Sequence, residues 1–416
     1  MAAYLLDAYG NPRKVNTTIR NHALANTYAT IAKAGADAFY KDGPIARAIV
    51  AKIQTDYDGQ TTPGLTTVAD LAQYQARKRE AVCSDYREYV LCGMPPPSSG
   101  GIAVAQTMGI LAQFDLTRHM PTKMDGNGGK PSVTGVHLVA EANNLAYADR
   151  NRYVADADFV SPPGGSLASL LDKGYLAKRA QLIAPDRSLP LPAPAGELRS
   201  SPLATAPGLD EHGTTQLTLM DRYGNVVSMT SSVEAGLGSY HFTNGFVLNN
   251  QLSDFNETPS IDGIPVANRI EAGKRPRSSM APTLVFKRNA DGSRGEFFMA
   301  TGSPGGAAII QYVTKTLVGV LDWKMDPQQA VSMIDFGANN AIVMIGGEHP
   351  NVDTGNSGDQ DPLVKALRSL GHTVSVAAQS SGLSAIVRTT VNGEAVLIGG
   401  ADPRREGIVL GDTFKP

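Results

Sequence analysis

The stretch GTTQLTLMDRYGNVVSMTSS, residues 213–232, predicts a β-hairpin. Apolar and polar residues alternate on both sides of the turn-forming sequence DRYGN, as expected for two short antiparallel strands. The first strand opens at Thr214, directly after Gly213. Ser232 closes the return strand, so its side chain is expected to face back toward Thr214.

The chain differs in character on the two sides of this hairpin. Residues 185–208 are rich in proline, alanine and leucine with weak periodicity, which predicts an exposed, extended linker. Before it, apolar residues at helical spacing predict helices over 22–36, 44–54, 67–74, 102–114 and 136–153. After it, the patterns predict strands at 283–287, 295–301, 385–390 and 394–399, with helices at 307–321 and 362–370. The sequence therefore predicts a mainly helical part, 1–213, ending in a flexible linker, and a β-rich part, 214–416.

Composition makes two classes of partner improbable. The 416 residues carry a net charge of −2 with acidic and basic residues interspersed, so there is no basic block to neutralise a nucleic-acid backbone. No apolar run approaches the roughly 18–20 residues that span a bilayer. The start, MAAYLLDAYGNPRK, lacks the early basic residue and the apolar length of a signal peptide.

Two cysteines, Cys83 and Cys92, flank a strand-like pair in AVCSDYREYVLCGM. We expect the polar stretch Ser84–Asp85–Tyr86 to turn the chain and to set the cysteines opposite each other. Two cysteines and seven scattered histidines do not make a zinc pattern, so no metal is predicted. The cysteines are either reduced and buried or joined in a cross-strand disulfide, which would indicate an oxidising compartment.

Thr214 is a candidate nucleophile. A threonine hydroxyl needs a base, and its own α-amine can serve once the preceding peptide bond is cut, since an α-amine has a reference pKa of about 7.7–8.0. A flexible linker before Gly213 and a strand after it suit such a cleavage site, and glycine tolerates the backbone strain of an acyl shift. The simpler alternative is a threonine pair that begins an ordinary strand.

Four later segments favour the nucleophile. Ser232 and Glu234 end the return strand in SSVE, and FVLNNQLSDF (246–255) supplies amide and carboxylate groups that suit an ammonium ligand, although such polar residues also form turns. KRPRSSMAPT (274–283) offers paired hydroxyls with basic neighbours. TGSPGGAAII (301–310) is a Gly-Gly turn feeding a helix, a geometry that binds an oxyanion; it lacks the ending of a phosphate-binding loop.

As a set these segments resemble the γ-glutamyltransferase (glutathione hydrolase) family. The matching stretches are MPPPSSGG (94–101), AYADRNRY (146–153), GTTQLTLMDRYGNVVSMTSS (213–232), GFVLNNQLSDF (245–255), KRPRSSMAPT (274–283) and TGSPGG (301–306). They occur in the family's order and span most of the chain. The resemblance implies an α+β fold, a four-layer αββα sandwich of the N-terminal nucleophile hydrolase type.

The resemblance also implies roles for individual residues. Cleavage between Gly213 and Thr214 frees the nucleophile, and Ser232 hydrogen-bonds it. Gln251 and Asp254 hold the α-ammonium group of the substrate, Ser278 and Ser279 contact its α-carboxylate, and backbone groups of Gly305 and Gly306 form the oxyanion hole. The implied reaction cleaves a γ-glutamyl amide such as glutathione through an acyl-threonine that water or an amino-acid or peptide acceptor resolves, with no cofactor.

Several features depart from the family pattern. Glu234 stands where members usually carry an asparagine near the substrate amine, and Gln216 replaces a frequent histidine. The stretch between Asp254 and Ser278 is short, so a lid loop is expected to be reduced. The chain also begins inside the family's large subunit, so we expect a sandwich that is incomplete at the front, exposed apolar surface and no arginine for the α-carboxylate.

Two alternatives remain beside this interpretation. One is a related acylase acting on β-lactam side chains or poly-γ-glutamate, favoured by Glu234 and the short lid. The other is an uncleaved, inactive member with a binding role. The resemblance further implies association of a large and a small subunit, and a periplasmic or secreted location, although no signal peptide is present in the sequence.

Overall fold

The protein has an α+β fold, seen in a computed structural model that describes residues 2–56, 59, 62–207 and 213–411. Its α-helices are α1 Ala2–Leu5, α2 His22–Ala34, α3 Asp37–Tyr40, α4 Pro44–Ile53, α5 Val68–Gln73, α6 Gly100–Leu111, α7 Val133–Tyr153, α8 Lys173–Ala180, α9 Ile309–Leu321, α10 Pro327–Ser332 and α11 Pro362–Ser369. Its strands are β1 Val82–Tyr86, β2 Tyr89–Gly93, β3 Thr214–Met220, β4 Val226–Ser232, β5 Phe242–Thr243, β6 Phe246–Val247, β7 Ser260–Ile261, β8 Ile264–Pro265, β9 Thr283–Arg288, β10 Arg294–Gly302, β11 Phe336–Ala338, β12 Val343–Gly346, β13 Val374–Ala377, β14 Ser384–Val391 and β15 Glu394–Ala401. Every helix and strand predicted from periodicity is present, with ends shifted by a few residues.

The chain forms two compact units. The smaller contains residues 1–79 and 233–251, and the larger contains 80–232 and 252–416. The predicted boundary between Gly213 and Thr214 is a cleavage site, so it does not have to coincide with a boundary between these units. It stays a prediction. None of the helices in the described part of the chain has the length and apolar character that crossing a membrane requires.

The smaller unit joins helices from the front of the chain to the β5–β6 hairpin. Asn21 caps α2 by accepting from Leu24 N at 2.9 Å, and its Nδ2 donates to Gly245 O at 2.7 Å. Thr67 and Asp70 form a capping box at the start of α5.

The larger unit is built on a six-stranded sheet in the order β1-β2-β9-β10-β14-β15. One face of this sheet packs against helices: Val285 and Met299 lie in one row and belong to the main buried core with residues of α6, α7 and α9. Gly302 of β10 faces the other side of the sheet. A Cβ built on it would lie 2.5 Å from the side-chain amide of Gln216 in the β3–β4 hairpin. Helices, sheet and hairpin therefore form three successive layers.

The β3–β4 hairpin turns its polar face inward. Gln216 Nε2 donates to Ser228 Oγ at 3.0 Å, and Ser228 Oγ donates to the Thr301 carbonyl at 2.9 Å. The opposite face carries four exposed apolar side chains, Leu217, Leu219, Val227 and Met229. Exposed apolar surface was expected from the sequence, and the hairpin provides it.

The expected position of the turn between the two cysteines was wrong. The turn between the cysteines lies at Arg87–Glu88 rather than at Ser84–Tyr86, because Arg87 adopts a φ of +52° and β1, an edge strand, tolerates the polar Ser84 and Asp85. The pairing sets Cys83 opposite Cys92, and the two form a disulfide. This resolves the two alternatives for the cysteines in favour of the bonded pair.

The predicted linker is irregular, but it is not exposed throughout. Ala193, Leu203 and Ala206 are buried, and Ala206 N donates to the Asn151 carbonyl at 3.2 Å. The apolar residues of this segment therefore pack on the larger unit as far as residue 207, while its last residue, Gly208, lies outside the described residues.

Candidate active site

Thr214 is the first residue of β3 and is 2% exposed. It pairs with Ser232 in the antiparallel register, and their hydroxyl oxygens are 2.9 Å apart. Ser232 Oγ also donates to the carbonyl oxygen of Gly213 at 3.4 Å. In the direction consistent with both bonds, the Thr214 hydroxyl donates to Ser232, which in turn donates to the carbonyl of the Gly213–Thr214 bond.

This arrangement supplies two of the contacts that assist an acyl shift. The Thr214 oxygen has an acceptor for its proton, and the neighbouring carbonyl has a donor that stabilises negative charge developing on its oxygen. The predicted proximity of Ser232 to Thr214 is therefore confirmed, while the catalytic role of each residue stays a prediction.

The Gly-Gly turn precedes α9, as predicted. Gly305 has a φ of +130° and Gly306 a φ of +59°, a backbone path that only glycine adopts readily. A Cβ built on Gly305 would lie 2.4 Å from the Tyr312 ring. The turn is held further by Tyr147, whose hydroxyl donates to the Ala307 carbonyl. Its backbone is thus fixed at the place where an oxyanion site was predicted.

One of the two predicted carboxylate-binding hydroxyls, that of Ser279, contacts a buried arginine. Ser279 is fully buried and accepts from Arg150 Nη2 at 2.8 Å, while Ser278 is half-buried. Arg150 Nε donates to Ser99 Oγ at 2.7 Å, and Ser99 Oγ donates to the Ser278 carbonyl at 2.8 Å. The stretches MPPPSSGG, AYADRNRY and KRPRSSMAPT, far apart in sequence, therefore meet here.

A second buried arginine adds positive charge at this place. Burial lowers the pKa of the Arg277 guanidinium, the nearby charge of Arg150 lowers it further, and the Asp254 carboxylate acts in the opposite direction. Arg277 Nη1 donates to the Arg150 carbonyl at 3.1 Å and so joins the end of α7 to this segment. The positive charge of both guanidiniums favours an anionic ligand at Ser278 and Ser279.

Asp254 belongs to the same compact unit as Thr214 and is 5% exposed. It ends the 3-10 helix Gln251–Asp254, and its carbonyl accepts from Asn268 Nδ2 at 2.7 Å. A buried carboxylate of this kind suits a cationic ligand because burial strengthens its attraction for an ammonium group.

Glu234 and Gln251 belong to the smaller unit. Glu234 is 6% exposed with a φ of +73°, and its carboxylate accepts from Asn250 Nδ2. Asn250 Oδ1 accepts from Ala235 N at 3.0 Å, while Gln251 N donates to Asn249 Oδ1 at 2.9 Å. Hydrogen bonds within this turn hold the two residues predicted to bind the substrate, and their roles stay predictions.

Comparison with known proteins decides the family. The sequence profile described as Gamma-glutamyltranspeptidase matches residues 1–412. The chain belongs to the gamma-glutamyltranspeptidase family.

Relatives in this family share about a third of the sequence. The chain is 33% identical over 402 residues to the Glutathione hydrolase proenzyme of Escherichia coli (strain K12), covering 95% of this chain and 62% of that protein. It is 34% identical over 331 residues to the Glutathione hydrolase proenzyme of Bacillus subtilis (strain 168), covering 77% and 51%. The chain thus spans between half and two thirds of the length of these relatives.

Acylases are also similar to this member of the gamma-glutamyltranspeptidase family. The Acylase ACY 1 proenzyme of Pseudomonas sp. (strain V22) is 30% identical over 410 residues, covering 98% of this chain and 64% of that protein. The crystal structure of cephalosporin acylase from Bacillus halodurans matches with a TM-score of 0.75 at 23% identity, covering 97% of this chain and 64% of that one. The structural likeness confirms the predicted fold class.

No role was predicted for Arg150 from the sequence, although the family motif AYADRNRY contains it. The expected absence of an arginine for the α-carboxylate stays a prediction, and Arg150, which is 3% exposed, donates to the hydroxyl of Ser279. An arginine at the end of an otherwise buried helix indicates a specific hydrogen-bond partner, since a buried charge is rarely left unpaired.

Two of the histidines described as scattered also meet. His137 Nδ1 lies 2.7 Å from His372 Nε2, and His137 Nε2 lies 2.7 Å from the Ala184 carbonyl. Glu141 lies beside them, and its pKa rises to about 7 because of burial. The rings form a hydrogen-bonded chain in the core, and the absence of a metal stays a prediction.

Proposed function

We propose that the chain is the precursor of a γ-glutamyl hydrolase and transferase that cleaves itself between Gly213 and Thr214. The observation that carries the proposal is the bond chain from the Thr214 hydroxyl through Ser232 to the Gly213 carbonyl. Serine and threonine carry an aliphatic hydroxyl on Cβ that can act as the nucleophile. After cleavage, their own α-amine can act as the base.

Cleavage would proceed by an acyl shift. The Thr214 oxygen attacks the carbonyl carbon of Gly213, the bond from that carbon to the Thr214 nitrogen breaks, and the nitrogen takes up the proton. Water then hydrolyses the resulting ester and leaves a carboxylate on Gly213 and a free amine on Thr214. Ser232 assists by accepting the hydroxyl proton and by donating to the carbonyl oxygen.

The mature site would act on a γ-glutamyl amide such as glutathione. Asp254 would hold the α-ammonium group, and Ser278 and Ser279 would bind the α-carboxylate in the neighbourhood of Arg150. Thr214 then attacks the γ-carbonyl while its amine takes the proton, and the Gly305–Gly306 backbone stabilises the oxyanion. The leaving amine takes this proton from the Thr214 amine as the amide bond breaks, and water or an acceptor amine then attacks the acyl-threonine and releases the glutamyl group.

The compartment and subunit structure are part of the same proposal. A periplasmic or secreted location is supported by the Cys83–Cys92 disulfide, since such bonds persist in oxidising compartments. Cleavage would yield a large and a small subunit that stay associated through the shared six-stranded sheet.

A denaturing gel with mass spectrometry tests the proposal. Mature protein should give two pieces, residues 1–213 and 214–416, the second beginning Thr-Thr-Gln, and it should release the chromophore from a γ-glutamyl anilide. A single band from both fresh and aged protein, without turnover, would support the inactive alternative instead.

The acylase alternative is supported by the similarity to ACY 1. A glutaryl anilide, which lacks the α-amine, separates the two activities. Because Asp254 offers a buried negative charge, we expect turnover of the γ-glutamyl substrate only. Preference for the glutaryl compound would favour the acylase.

Ser232→Ala is expected to slow self-cleavage by about 10- to 100-fold, since it removes one hydrogen bond to a developing charge. The rate is measured as the loss of the intact chain on a gel over time. Ser232→Thr keeps the hydroxyl and should restore cleavage, and Ser231→Ala, in the neighbouring outward-facing position, should have no effect. Cleavage of Ser232→Ala at the normal rate would exclude the proposed relay.

A further inference from the structure

The carbonyl oxygen of Thr214 is held by an arginine from the C-terminal part of the chain. Arg405 Nη1 donates to this oxygen at 3.1 Å. Arg405 ends the 3-10 helix Pro403–Arg405, which follows β15. Neither strand of the hairpin carries a charged residue, so Arg405 brings a full positive charge to the backbone of the candidate nucleophile.

Arg405 is placed by the buried network that holds its neighbour. Arg404 bonds Asp402 Oδ1 at 3.0 Å, Asp335 Oδ2 at 3.2 Å and Glu348 Oε1 at 2.6 Å. Ser381 Oγ lies 2.6 Å from a carboxylate oxygen of both Asp335 and Asp402. The 3-10 helix that carries Arg405 is therefore anchored at the preceding residue.

The stem of Arg405 also packs beside the glycine turn. A Cβ built on Gly382 would lie 2.7 Å from Pro304 Cγ and 3.0 Å from Arg405 Cδ, so no larger residue fits between them. Gly382 N donates to Ser303 Oγ at 3.2 Å. Arg405 therefore contacts both Thr214 and the surroundings of the segment that precedes Gly305.

We propose that Arg405 is a positioning residue that keeps the α-amine of mature Thr214 in its uncharged, proton-accepting form. The inference rests on the proposed function, because the amine exists only after cleavage. The amine and the carbonyl belong to one residue, so the guanidinium lies within about 6 Å of the amine.

The sign of the effect follows from like charges. A fixed cation disfavours the ammonium form and so lowers the pKa of the amine below its reference value of about 7.7–8.0. At about 6 Å, dielectric constants between those of water and of a protein surface give a shift of about 0.5–2 pH units. More of the amine is then available as a base at neutral pH.

The charged residues of the hairpin itself, Asp221 and Arg222, lie at its turn, at the far end of the strands from Thr214. The ends of β10 and β14 that pack near Thr214, residues 299–302 and 384–387, carry no ionisable side chain. Behind Arg405, the carboxylates of Asp335, Asp402 and Glu348 oppose its effect, and the two cations of Arg404 and Lys315 offset two of these three negative charges. Arg405 is the charged group bonded directly to Thr214.

The test is the pH dependence of kcat/KM for a γ-glutamyl anilide, measured on cleaved protein. Arg405→Gln keeps a donor for the Thr214 carbonyl but removes the charge. The acidic limb of its pH profile, where kcat/KM falls as the amine becomes protonated, should move to higher pH by about 0.5–2 units. Arg405→Lys keeps the charge and should stay within a few tenths of a unit of wild type. Arg388→Gln, which removes a surface charge paired with Glu296, should not move the limb.

An unmoved limb in Arg405→Gln, even with lower activity, would overturn the inference and leave Arg405 a structural role. If Arg405→Gln is not cleaved, salt supplies the second measurement on wild type: screening should move the acidic limb to higher pH, and a limb independent of salt would overturn the inference. Failure of wild type itself to cleave would refute the proposed function, and this inference would fall with it.

Discussion

Thr214→Ala is expected to remain uncut and to show no turnover. The substitution removes the attacking oxygen, so neither the acyl shift nor the acyl-enzyme can form, and activity should fall by about 1,000-fold or more. The measurements are the mass of the chain and the release of chromophore from a γ-glutamyl anilide.

Thr215→Ala is the matched control for this experiment. Thr215 is the next residue of β3 and is exposed, with its hydroxyl bonded to the Ser231 carbonyl at 3.3 Å. It should cleave and turn over normally. A Thr214→Ala protein that still matures would assign the reaction to another residue.

Asp254→Asn is expected to raise the KM for a γ-glutamyl anilide by about 10- to 100-fold with normal self-cleavage. The change keeps the shape of the side chain but removes the charge proposed to pair with the substrate ammonium, and a charge-assisted hydrogen bond contributes about 1.5–3 kcal/mol. Steady-state kinetics on cleaved protein, with kcat and KM separated, measures the effect.

Asp262→Asn controls for loss of an acidic charge nearby in the sequence. Asp262 is exposed in the turn between β7 and β8, where asparagine tolerates its φ of +52°. Its KM should equal that of wild type. An unchanged KM for Asp254→Asn would refute the proposed ammonium role.

Local structure could be predicted from the sequence because it depends on near neighbours. The hairpin from Thr214 to Ser232 follows from alternation and one turn, and the capping box at Thr67 follows from a residue three positions later. Alternation did not show which face packs inward; here the polar face does, because Gln216 and Ser228 bond each other and the sheet backbone.

Long-range contacts could not be predicted in this way. Arg150 meets Ser279 across 129 positions, and Arg405 meets Thr214 across 191. Their partners are set by how helices and strands pack, and periodicity carries no such information. The state of Cys83 and Cys92 was open for a related reason, since their spacing fits both a thiol pair and a bond, and the strand register decided it.

The order of the six-stranded sheet has a consequence for the cleaved protein. β2 precedes Thr214 in sequence and β9 follows it, yet the two strands are hydrogen-bonded neighbours over Tyr89↔Lys287 to Gly93↔Thr283. The two fragments would therefore be joined by main-chain hydrogen bonds between β2 and β9. Removing one fragment would expose the unpaired N–H and C=O groups of the strand edge on the other. Production of the fragments as separate polypeptides would require their co-folding, because each supplies a template for the other's sheet.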